Sequence, residues 1–273
     1  MKFAAGITLY NYDSNTIERI RNYETAFDTI FLFDNSDPEY SHPIIITLNE
    51  KFIIITEHKN MGLPYAFNKI LEKCGDYDFL CTLDQDSLFK LEDISRIKNL
   101  IESDLSLDKV GVVAPFIDYG YIKYNVSEQI DSRKWVITSG SFLNLRVIRK
   151  ESIKYDEAYF IDKFEIDLCE NLRKRGYQIL MYHGSTLHQS LGEDSGHRHP
   201  NHSVLRHYYL FRNRFYFNRK WHGKAKRYFL NIAQTTRHMF FILMYEESKK
   251  EKIMIFRMAF KDFINNRFGR WEG

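Results

Sequence analysis

The sequence has 273 residues, of which 44% are hydrophobic and 16% aromatic, and its net charge is +3. A chain of this size and composition can bury a full core, which excludes an intrinsically disordered protein. The charge is uneven: residues from His197 onward carry 17 Lys and Arg against 5 Asp and Glu, whereas Met1 to Gly196 carry 22 against 31. We therefore expect an acidic body and a basic C-terminal segment suited to a membrane surface, a phosphate-bearing substrate or nucleic acid.

The cysteine usage and the hydropathy pattern predict a cytoplasmic protein. Cys74, Cys81 and Cys169 lack the spacing of a metal site and lie in apolar or helical stretches, so they are expected to be reduced core residues. The N-terminus leads directly into a predicted strand rather than a signal peptide. The most apolar late stretch, 239–245, is much too short to span a bilayer.

Strands and helices alternate along the first part of the chain. The predicted strands are 3–9, 29–33, 51–56, 79–83 and 110–114, and the predicted helices are 14–27, capped by Ser14, 64–73 and 91–103. This alternation predicts an α/β fold with a mostly parallel central sheet flanked by helices.

The remainder of the chain is less regular before it becomes helical. Two strands, 135–138 and 142–145, are predicted around a glycine turn, followed by a helix over 162–175 and a strand over 178–182. A helical pattern then runs from His202 to about Asn266, with breaks near Gly223 and at 246–250. We expect a catalytic domain, 1–222, and a basic amphipathic helical extension, 223–273.

The stretch 79–87 ends a predicted buried strand in Asp84 and Asp86, two carboxylates one residue apart. In open α/β sheets, ligands bind outside the carboxyl ends of the strands. An Asp-x-Asp pair offers oxygen ligands to a divalent cation that also binds substrate phosphates. The alternative is a strand end capped by polar turn residues.

Acidic residues at a helix start and one histidine are further candidates. Asp162, Glu165 and Asp167 are either candidate general bases or acidic residues favoured by the helix dipole. Glu165 and Asp167 lie about 200° apart on a helix, so at most one faces a given cleft. His188 follows a strand and precedes a polar loop; it either completes a metal site or is an ordinary exposed histidine.

A later helix carries Arg206, Tyr209 and the pair Arg212/Asn213 at helical spacing, which makes one polar and aromatic face. Arg and Tyr side chains together suit a diphosphate. The alternative is a solvated basic helix face.

These residues together resemble the inverting family 2 glycosyltransferases, over residues 3 to about 218, and most closely their bacterial rhamnosyltransferase-like branch. In chain order the motifs are Thr8-x-Tyr10-Asn11, Asp34-Asn35-Ser36, Asn60-x-Gly62-x-x-x-Ala66-x-Asn68, Leu83-Asp84-Gln85-Asp86-Ser87, Ser139-Gly140-Ser141, Phe160-Ile161-Asp162 with Glu165-x-Asp167, His188, and Arg206-x-x-Tyr209-x-x-Arg212-Asn213. The resemblance implies a GT-A fold. It also implies transfer of a sugar, rhamnose in that branch, to a saccharide acceptor in capsule, O-antigen or cell-wall polysaccharide synthesis.

The resemblance implies roles for individual residues. The nucleotide and donor would be bound by Thr8, Tyr10, Asn11, Asp34, Asn60, Gly62, Asn68, Asp84 and Gln85, with Arg206, Tyr209 and Arg212 over the diphosphate. Mn²⁺ or Mg²⁺ would be held by Asp86 and His188 with Asp84, and the acceptor by Ser139, Gly140 and Asp162. Glu165 matches the catalytic base, which is usually Asp in this family; this departure leaves Asp167 and Asp162 as alternatives.

The expected partners are a dTDP- or UDP-linked sugar donor and a saccharide acceptor, including a lipid-linked one. The segments 224–230 and 253–260 mix basic and bulky apolar residues, which suits helices on the inner face of a cell membrane. Packing on the domain and a homodimer are the alternatives. A non-catalytic nucleotide-sugar-binding protein and a nucleic-acid-binding protein are the other classes considered. The presence of Asp84, Asp86 and His188 argues against the first, and the acidic body against the second.

Overall fold

The chain folds into two compact units. The computed structural model describes residues 1–40, 49–103, 106–120, 126–189 and 202–273, and every structural statement below concerns these residues. The sheet unit comprises Met1–Asp156 and Glu165–Ser190, and the helical unit comprises Glu157–Phe164 and Leu191–Gly273. The predicted boundary between a catalytic domain, 1–222, and a helical extension, 223–273, separates segments by function rather than by compactness. It stays a prediction.

The sheet unit is built on one mixed sheet of nine strands within the described residues. They are β1 (Phe3–Leu9), β2 (Thr29–Asp34), β3 (Phe52–Thr56), β4 (Phe79–Asp84), β5 (Leu88–Phe89), β6 (Val110–Asp118), β7 (Ile130–Ser132), β8 (Ser141–Asn144) and β9 (Gln178–His188). Their order is β3-β2-β1-β4-β8-β6-β9-β5, with β7 paired to β9.

Strand direction decides which strand ends meet. β1 to β4 are parallel to one another, β8 is antiparallel to both β4 and β6, and β6 is parallel to β9. β6 and β9 therefore run in the same direction as β4. The carboxyl ends of β1–β4, β6 and β9 lie along one edge of the sheet, where α/β proteins bind ligands.

Most helices follow the predicted pattern, but the first ends at Arg21 rather than Phe27, and the short helix over 145–150 was not predicted. The helices are α1 (Ser14–Arg21), α2 (Leu63–Lys73), α3 (Leu91–Ser103), α4 (Leu145–Lys150), α5 (Phe164–Lys174), α6 (Val204–Trp221), α7 (Lys224–Tyr245) and α8 (Lys249–Ile264). The cap of α1 is Asp13 rather than Ser14, because the Asp13 carboxylate accepts from Thr16 N at 2.9 Å. The predicted strand at 135–138 is wrong: that stretch is irregular, and the extra strand lies earlier, at β7.

The core of the sheet unit explains why its strands are continuous apolar runs. All seven residues of β1 are buried, as are the first five of β4, since helices cover both faces. The three cysteines lie in this core, 0–2% exposed, as predicted. Burial raises the pKa of Cys74 and of Cys169 to about 12, and raises that of Cys81 well above its usual value.

A partly buried chain of side-chain hydrogen bonds joins α6, α7 and α8 in the helical unit. Arg214 Nη2 lies 3.0 Å from His238 Nδ1, His238 Nε2 lies 3.0 Å from His207 Nδ1, and His207 Nε2 lies 2.7 Å from Glu246 Oε2. Lys252 Nζ donates to the same Glu246 oxygen at 2.7 Å. One assignment satisfies every contact: both imidazoles are neutral, accept at Nδ1 and donate from Nε2.

The electrostatics of this chain agree with neutral histidines. Burial lowers the pKa of His238 to about 3, and Arg214 adds to the effect. Burial also lowers the pKa of His207, although the contact with Glu246 acts in the opposite direction. For Glu246, burial raises the pKa, but hydrogen bonds from Lys252 and His207 outweigh it and leave the pKa lowered.

We expect the helical unit to lose stability as the pH falls. The unfolded chain, with a histidine pKa of 6.5, binds protons more readily than the folded chain, in which His238 has a pKa of about 3. The contribution is therefore present above about pH 6.5 and is lost below it, at up to about 1.4 kcal/mol per pH unit for each histidine. Hydrogen exchange of the α6–α8 amides between about pH 7 and about pH 5 measures this slope.

The variant His238→Gln removes one titrating group and should flatten that pH dependence. The matched control is His58→Asn, because His58 is exposed and has a φ of 53°, a left-handed conformation that Asn tolerates. If the pH dependence of hydrogen exchange were unchanged in His238→Gln, the assignment of neutral histidines would be contradicted.

Candidate active site

Parallel pairing aligns polar residues of neighbouring strands at the carboxyl edge of the sheet. Thr8 of β1 lies opposite Asp84 of β4, and Leu9 lies opposite Asp34 of β2. Because adjacent strands are about 4.8 Å apart, Asp34 and Asp84 are on the order of 10 Å apart across the sheet. A nucleotide can extend across this distance.

The loop after β1 is fixed by Gln85. The Gln85 side-chain amide accepts from Tyr10 N at 2.7 Å and donates to Tyr10 O at 3.1 Å. Asn11 adopts a left-handed φ of 47°, and its N–H donates to Ser36 Oγ at 2.9 Å. The Tyr10 ring is exposed, so Gln85 positions the loop and Tyr10 is available to a ligand.

The loops after β2 and β3 are tied together by short polar side chains. Met61 N donates to Asn35 Oδ1 at 2.7 Å, and Gly62 N donates to Asn60 Oδ1 at 3.0 Å. Gly62 is the N-cap of α2 and has a φ of 86°, which favours glycine. Near Asp34, burial raises the pKa of Tyr12, and the Asp34 carboxylate adds to the effect. These loops form a fixed wall beside Asp34.

Asn68 is buried within the sheet unit. Its amide donates to Tyr155 O and accepts from Tyr155 N, both at 2.9 Å. The side chain therefore holds the backbone near Tyr155. Its predicted contact with the donor draws no support from this geometry and stays a prediction.

Asp84 to Ser87 form a turn that is held by hydrogen bonds to the buried Ser87, while Asp86 is exposed. Ser87 N donates to Asp84 O at 3.1 Å, and Asp84 N donates to Ser87 Oγ at 3.0 Å. Tyr23 donates its hydroxyl to Ser87 O at 2.7 Å, and the Ser139 hydroxyl bonds to that of Ser87. Ser139 is 1% exposed, so it supports the turn, and its predicted acceptor contact is without geometric support.

Gly140 occupies a position that only glycine fits. Its φ is 79°, and a Cβ there would lie 2.9 Å from Pro115 Cγ. Gly140 N donates to Thr82 O at 2.7 Å. Gly140 thus bridges β4 and β6 near their carboxyl ends, where its predicted role in acceptor binding remains to be tested.

His188 is oriented by a carboxylate. His188 Nδ1 lies 3.2 Å from Asp118 Oδ2, which leaves Nε2 for another partner, the arrangement common around metal-binding histidines. β5 pairs with β9 so that Leu88, two residues after Asp86, lies opposite His188. The donors are of the kind that fits a divalent cation. Among the described residues, however, no three His, Cys, Asp or Glu side chains are gathered into a ready cation site. From Ser190, the loop after His188 lies outside the described residues.

Two of the candidate general bases, Glu165 and Asp167, differ in how far they are exposed to solvent. α5 begins at Phe164, so Glu165 and Asp167 are in its first turn. Asp167 is only 2% exposed, whereas Glu165 is partly exposed. Burial raises the pKa of Tyr155, with smaller contributions from Cys169 and Glu165, which indicates that the Glu165 carboxylate lies near this ring. Glu165 is the less buried of the two residues, although its carboxylate oxygen Oε2 is itself buried.

The segment that precedes α5 has an unusual backbone. Phe160, Asp162 and Lys163 have φ values of 64°, 58° and 74°, a region that costs non-glycine residues free energy. Such a conformation persists only where surrounding contacts enforce it, and it often occurs at functional sites.

Asn213 and Arg212 of α6 enforce this conformation within the helical unit. Asn213 Nδ2 donates to the carbonyls of Tyr159, Ile161 and Asp162 at 2.9, 2.6 and 3.1 Å. Arg212 Nη2 donates to Ala158 O and Tyr159 O at 3.1 and 3.2 Å. The sequence predicts Asn213 only as part of the polar face of this helix, and its place beside Arg212 in the motif is the available signal for the role seen here.

The remaining motif residues of α6 contact the same segment. Arg212 is 1% exposed, so its predicted contact with a diphosphate has no support here. Tyr209 is also buried, stacked on Phe160 with ring centroids 5.1 Å apart. Arg206 pairs with Asp162 at 3.2 Å and keeps about half of its side chain exposed. Among the three, Arg206 retains access to a ligand.

Comparison with solved structures identifies the fold. The crystal structure of S. aureus TarS 1–349 in complex with UDP-GlcNAc matches with a TM-score of 0.59 and 15% identity, over 97% of this chain and 81% of that one. GalNAc-T7 with UDP, GalNAc and Mn²⁺ matches with a TM-score of 0.65 and 13% identity, over 97% of this chain and 57% of that one. No curated protein matches the sequence. The fold is the predicted GT-A fold.

The family follows from the sequence itself. A family model described as glycosyl transferase family 2 matches residues 10–166, more than half of the chain. The chain therefore belongs to glycosyl transferase family 2. The rhamnosyltransferase-like branch stays a prediction.

We expect Asn213→Ala to destabilise the helical unit by at least about 2 kcal/mol. The carbonyls of Ile161 and Asp162 would lose this donor, whereas Tyr159 O would keep its bond from Arg212. Each buried polar group left unsatisfied costs about 1–3 kcal/mol. Chemical denaturation followed by circular dichroism measures the loss. The control is Asn99→Ala on the exposed face of α3, which should stay near wild type. A near-neutral Asn213→Ala would mean that the segment does not depend on this amide.

Proposed function

We propose that this chain is an inverting, cation-assisted glycosyltransferase that moves a sugar from a nucleoside-diphosphate donor to a hydroxyl of a saccharide acceptor. The observation that carries the proposal is the alignment of Thr8, Asp34 and Asp84 at the carboxyl edge of the sheet, with Asp86 exposed beside them. A binding site at this edge suits a nucleotide.

The donor would lie across the ends of β1, β2 and β4. Tyr10 and Asn11 flank the nucleobase, Asp34 faces the ribose hydroxyls, and Asp84 lies toward the donor sugar. TarS is described in complex with UDP-GlcNAc and GalNAc-T7 with UDP, which supports a nucleotide-sugar donor. The branch resemblance favours dTDP-rhamnose, with a UDP-hexose as the second candidate, in the synthesis of a bacterial surface polysaccharide.

Asp86 and His188, with Asp84, would hold Mn²⁺ or Mg²⁺. The pairing of His188 with Asp118 supports this role because it fixes the orientation of the imidazole. When bound, such a cation supplies charge neutralisation for a diphosphate leaving group.

Glu165 would act as the general base. Its carboxylate takes the proton from an acceptor hydroxyl while that oxygen forms a bond to the anomeric carbon. The bond from that carbon to the diphosphate oxygen breaks, and its electron pair leaves with the nucleoside diphosphate. Attack opposite the leaving group inverts the anomeric centre through an oxocarbenium-like transition state. Glu165 is less buried than Asp167, which supports this assignment, although Oε2 of Glu165 is itself buried.

We expect Glu165→Gln to reduce turnover by about 10²–10⁴-fold while nucleotide binding stays near wild type. The assay is diphosphate release from a panel of UDP- and dTDP-sugars with Mn²⁺ or Mg²⁺, and with EDTA as the cation-free control. Thermal shift with the same nucleotides reports binding. Glu170→Gln, on the same helix, is the matched variant and should keep its activity.

Wild-type turnover in Glu165→Gln would refute the base assignment. Absence of both nucleotide binding and diphosphate release across the panel would refute the proposed function and leave the non-catalytic or nucleic-acid-binding classes. Asp167→Asn tests the remaining candidate in the same assay.

We further propose that the helical unit lies on an anionic membrane surface. Phe229 and Ile232 of α7 are 70% and 69% exposed, and Lys224 and Lys226 begin the same helix. Apolar side chains next to basic ones match the interfacial region of an anionic bilayer. No helix of the described residues is long and apolar enough to cross a membrane. A homodimer that covers the same residues is the alternative.

Replacing Phe229 and Ile232 together by Glu should remove binding to vesicles that contain phosphatidylglycerol. Both substitutions are at exposed positions, whereas deleting 223–273 would remove core residues such as Ile242 and Ala259. Vesicle pelleting measures the bound fraction, with Leu91→Glu on the sheet unit as control. Equal pelleting of the double variant and wild type would contradict membrane binding, and a change in sedimentation from dimer to monomer would favour the homodimer.

A further inference from the structure

A second cleft opens in the sheet unit beside the end of β6. Its volume is about 410 Å³, within the range of about 300–1,000 Å³ found for small-molecule sites. The lining consists of Ala114–Ile117, Tyr119, Arg133–Ile137 and Met181. None of these residues has a role in the nucleotide site described above. Pro115 was named there only because it lies beside Gly140.

The cleft lies next to the proposed donor site. Gly140 bonds to Thr82 of β4 on one side and lies against Pro115 of β6 on the other. β8 is the one strand between β4 and β6, so the two strands are on the order of 10 Å apart. A sugar ring in the cleft would be within reach of a donor sugar at Asp84.

The chemistry of the lining fits a saccharide. Trp135 is 47% exposed, although a large aromatic side chain of this kind is normally buried. A sugar ring has an apolar face of C–H groups, which can pack on an aromatic ring, and a rim of hydroxyl groups that need polar partners. Arg133, held by Asp131 at 2.8 Å, and the exposed Lys134 offer donors for that rim.

Tyr119 supplies a further hydroxyl. Burial raises the pKa of Tyr119, which keeps the phenol protonated and able to both donate and accept. Phe116 contributes an apolar wall, and its ring packs at a tilt against that of His183 with centroids 5.6 Å apart. The cleft therefore combines two aromatic surfaces with a few polar groups, as saccharide recognition requires.

We propose that this cleft is the acceptor subsite, in which a saccharide ring packs on Trp135 and its hydroxyls bond to Arg133, Lys134 and Tyr119. The proposal rests on the proposed function for its role in transfer, while saccharide binding itself can be measured without a donor.

The test uses the full chain and a printed array of bacterial surface oligosaccharides. Wild type should bind a subset of the array, Trp135→Ala should weaken that binding about tenfold, and Trp135→Phe should retain most of it. Leu91→Ala, an exposed apolar residue of α3, is the control and should bind as wild type does. Thermal unfolding of each variant verifies that it is folded.

Array binding that is equal in wild type and Trp135→Ala would overturn the proposal, as would a wild type that binds no member of the array. Thermal shift with UDP or dTDP should be unchanged in Trp135→Ala, because the nucleotide site lies on other strands. If Trp135-dependent binding is found but no nucleotide binds, the proposed function fails and the saccharide site remains.

Discussion

The structure depends on the register of three parallel strands. β1 pairs with β2 on one side and β4 on the other, so that Leu9 faces Asp34 and Thr8 faces Asp84. A shift of one residue in either pair would turn every side chain to the opposite face, and the buried faces of β1 and β4 do not permit that. The hydrophobic core therefore fixes where the polar strand ends meet, and the candidate active site follows from core packing.

Side-chain amides hold the backbone of the loops around this site. Gln85 bonds to both backbone groups of Tyr10, and Asn68 to both of Tyr155. Asn213 holds the backbone in a similar way in the helical unit, where its amide nitrogen donates to three backbone carbonyls. An amide can donate and accept at once without carrying charge, so it satisfies a loop backbone at low desolvation cost. Each of these three residues belongs to a motif that was matched to ligand binding, yet in the structure its side chain hydrogen-bonds to the protein backbone.

The sequence predicted the fold well because its signals are local. Continuous apolar runs located β1 to β4, and Gly223 marked the break between α6 and α7. The stretch 135–138 was misjudged because its apolar residues line a cleft rather than a strand, and periodicity does not distinguish the two. The roles of the site residues stay predictions, and only their positions can be compared with the structure. The strand-end residues lie where expected, but whether Arg212 faces a ligand or the carbonyls of Ala158 and Tyr159 depends on tertiary contacts that spacing does not encode.

The burial of the three cysteines has a practical consequence. Cys74, Cys81 and Cys169 all belong to the sheet unit, and each thiol has a raised pKa that suppresses the reactive thiolate. Alkylating reagents will therefore modify the native chain only when that unit opens. The rate of alkylation therefore measures how often the sheet unit opens, and it is independent of opening in the helical unit. A cysteine introduced on the helical unit would carry a fluorescent or spin label without competition from the native thiols.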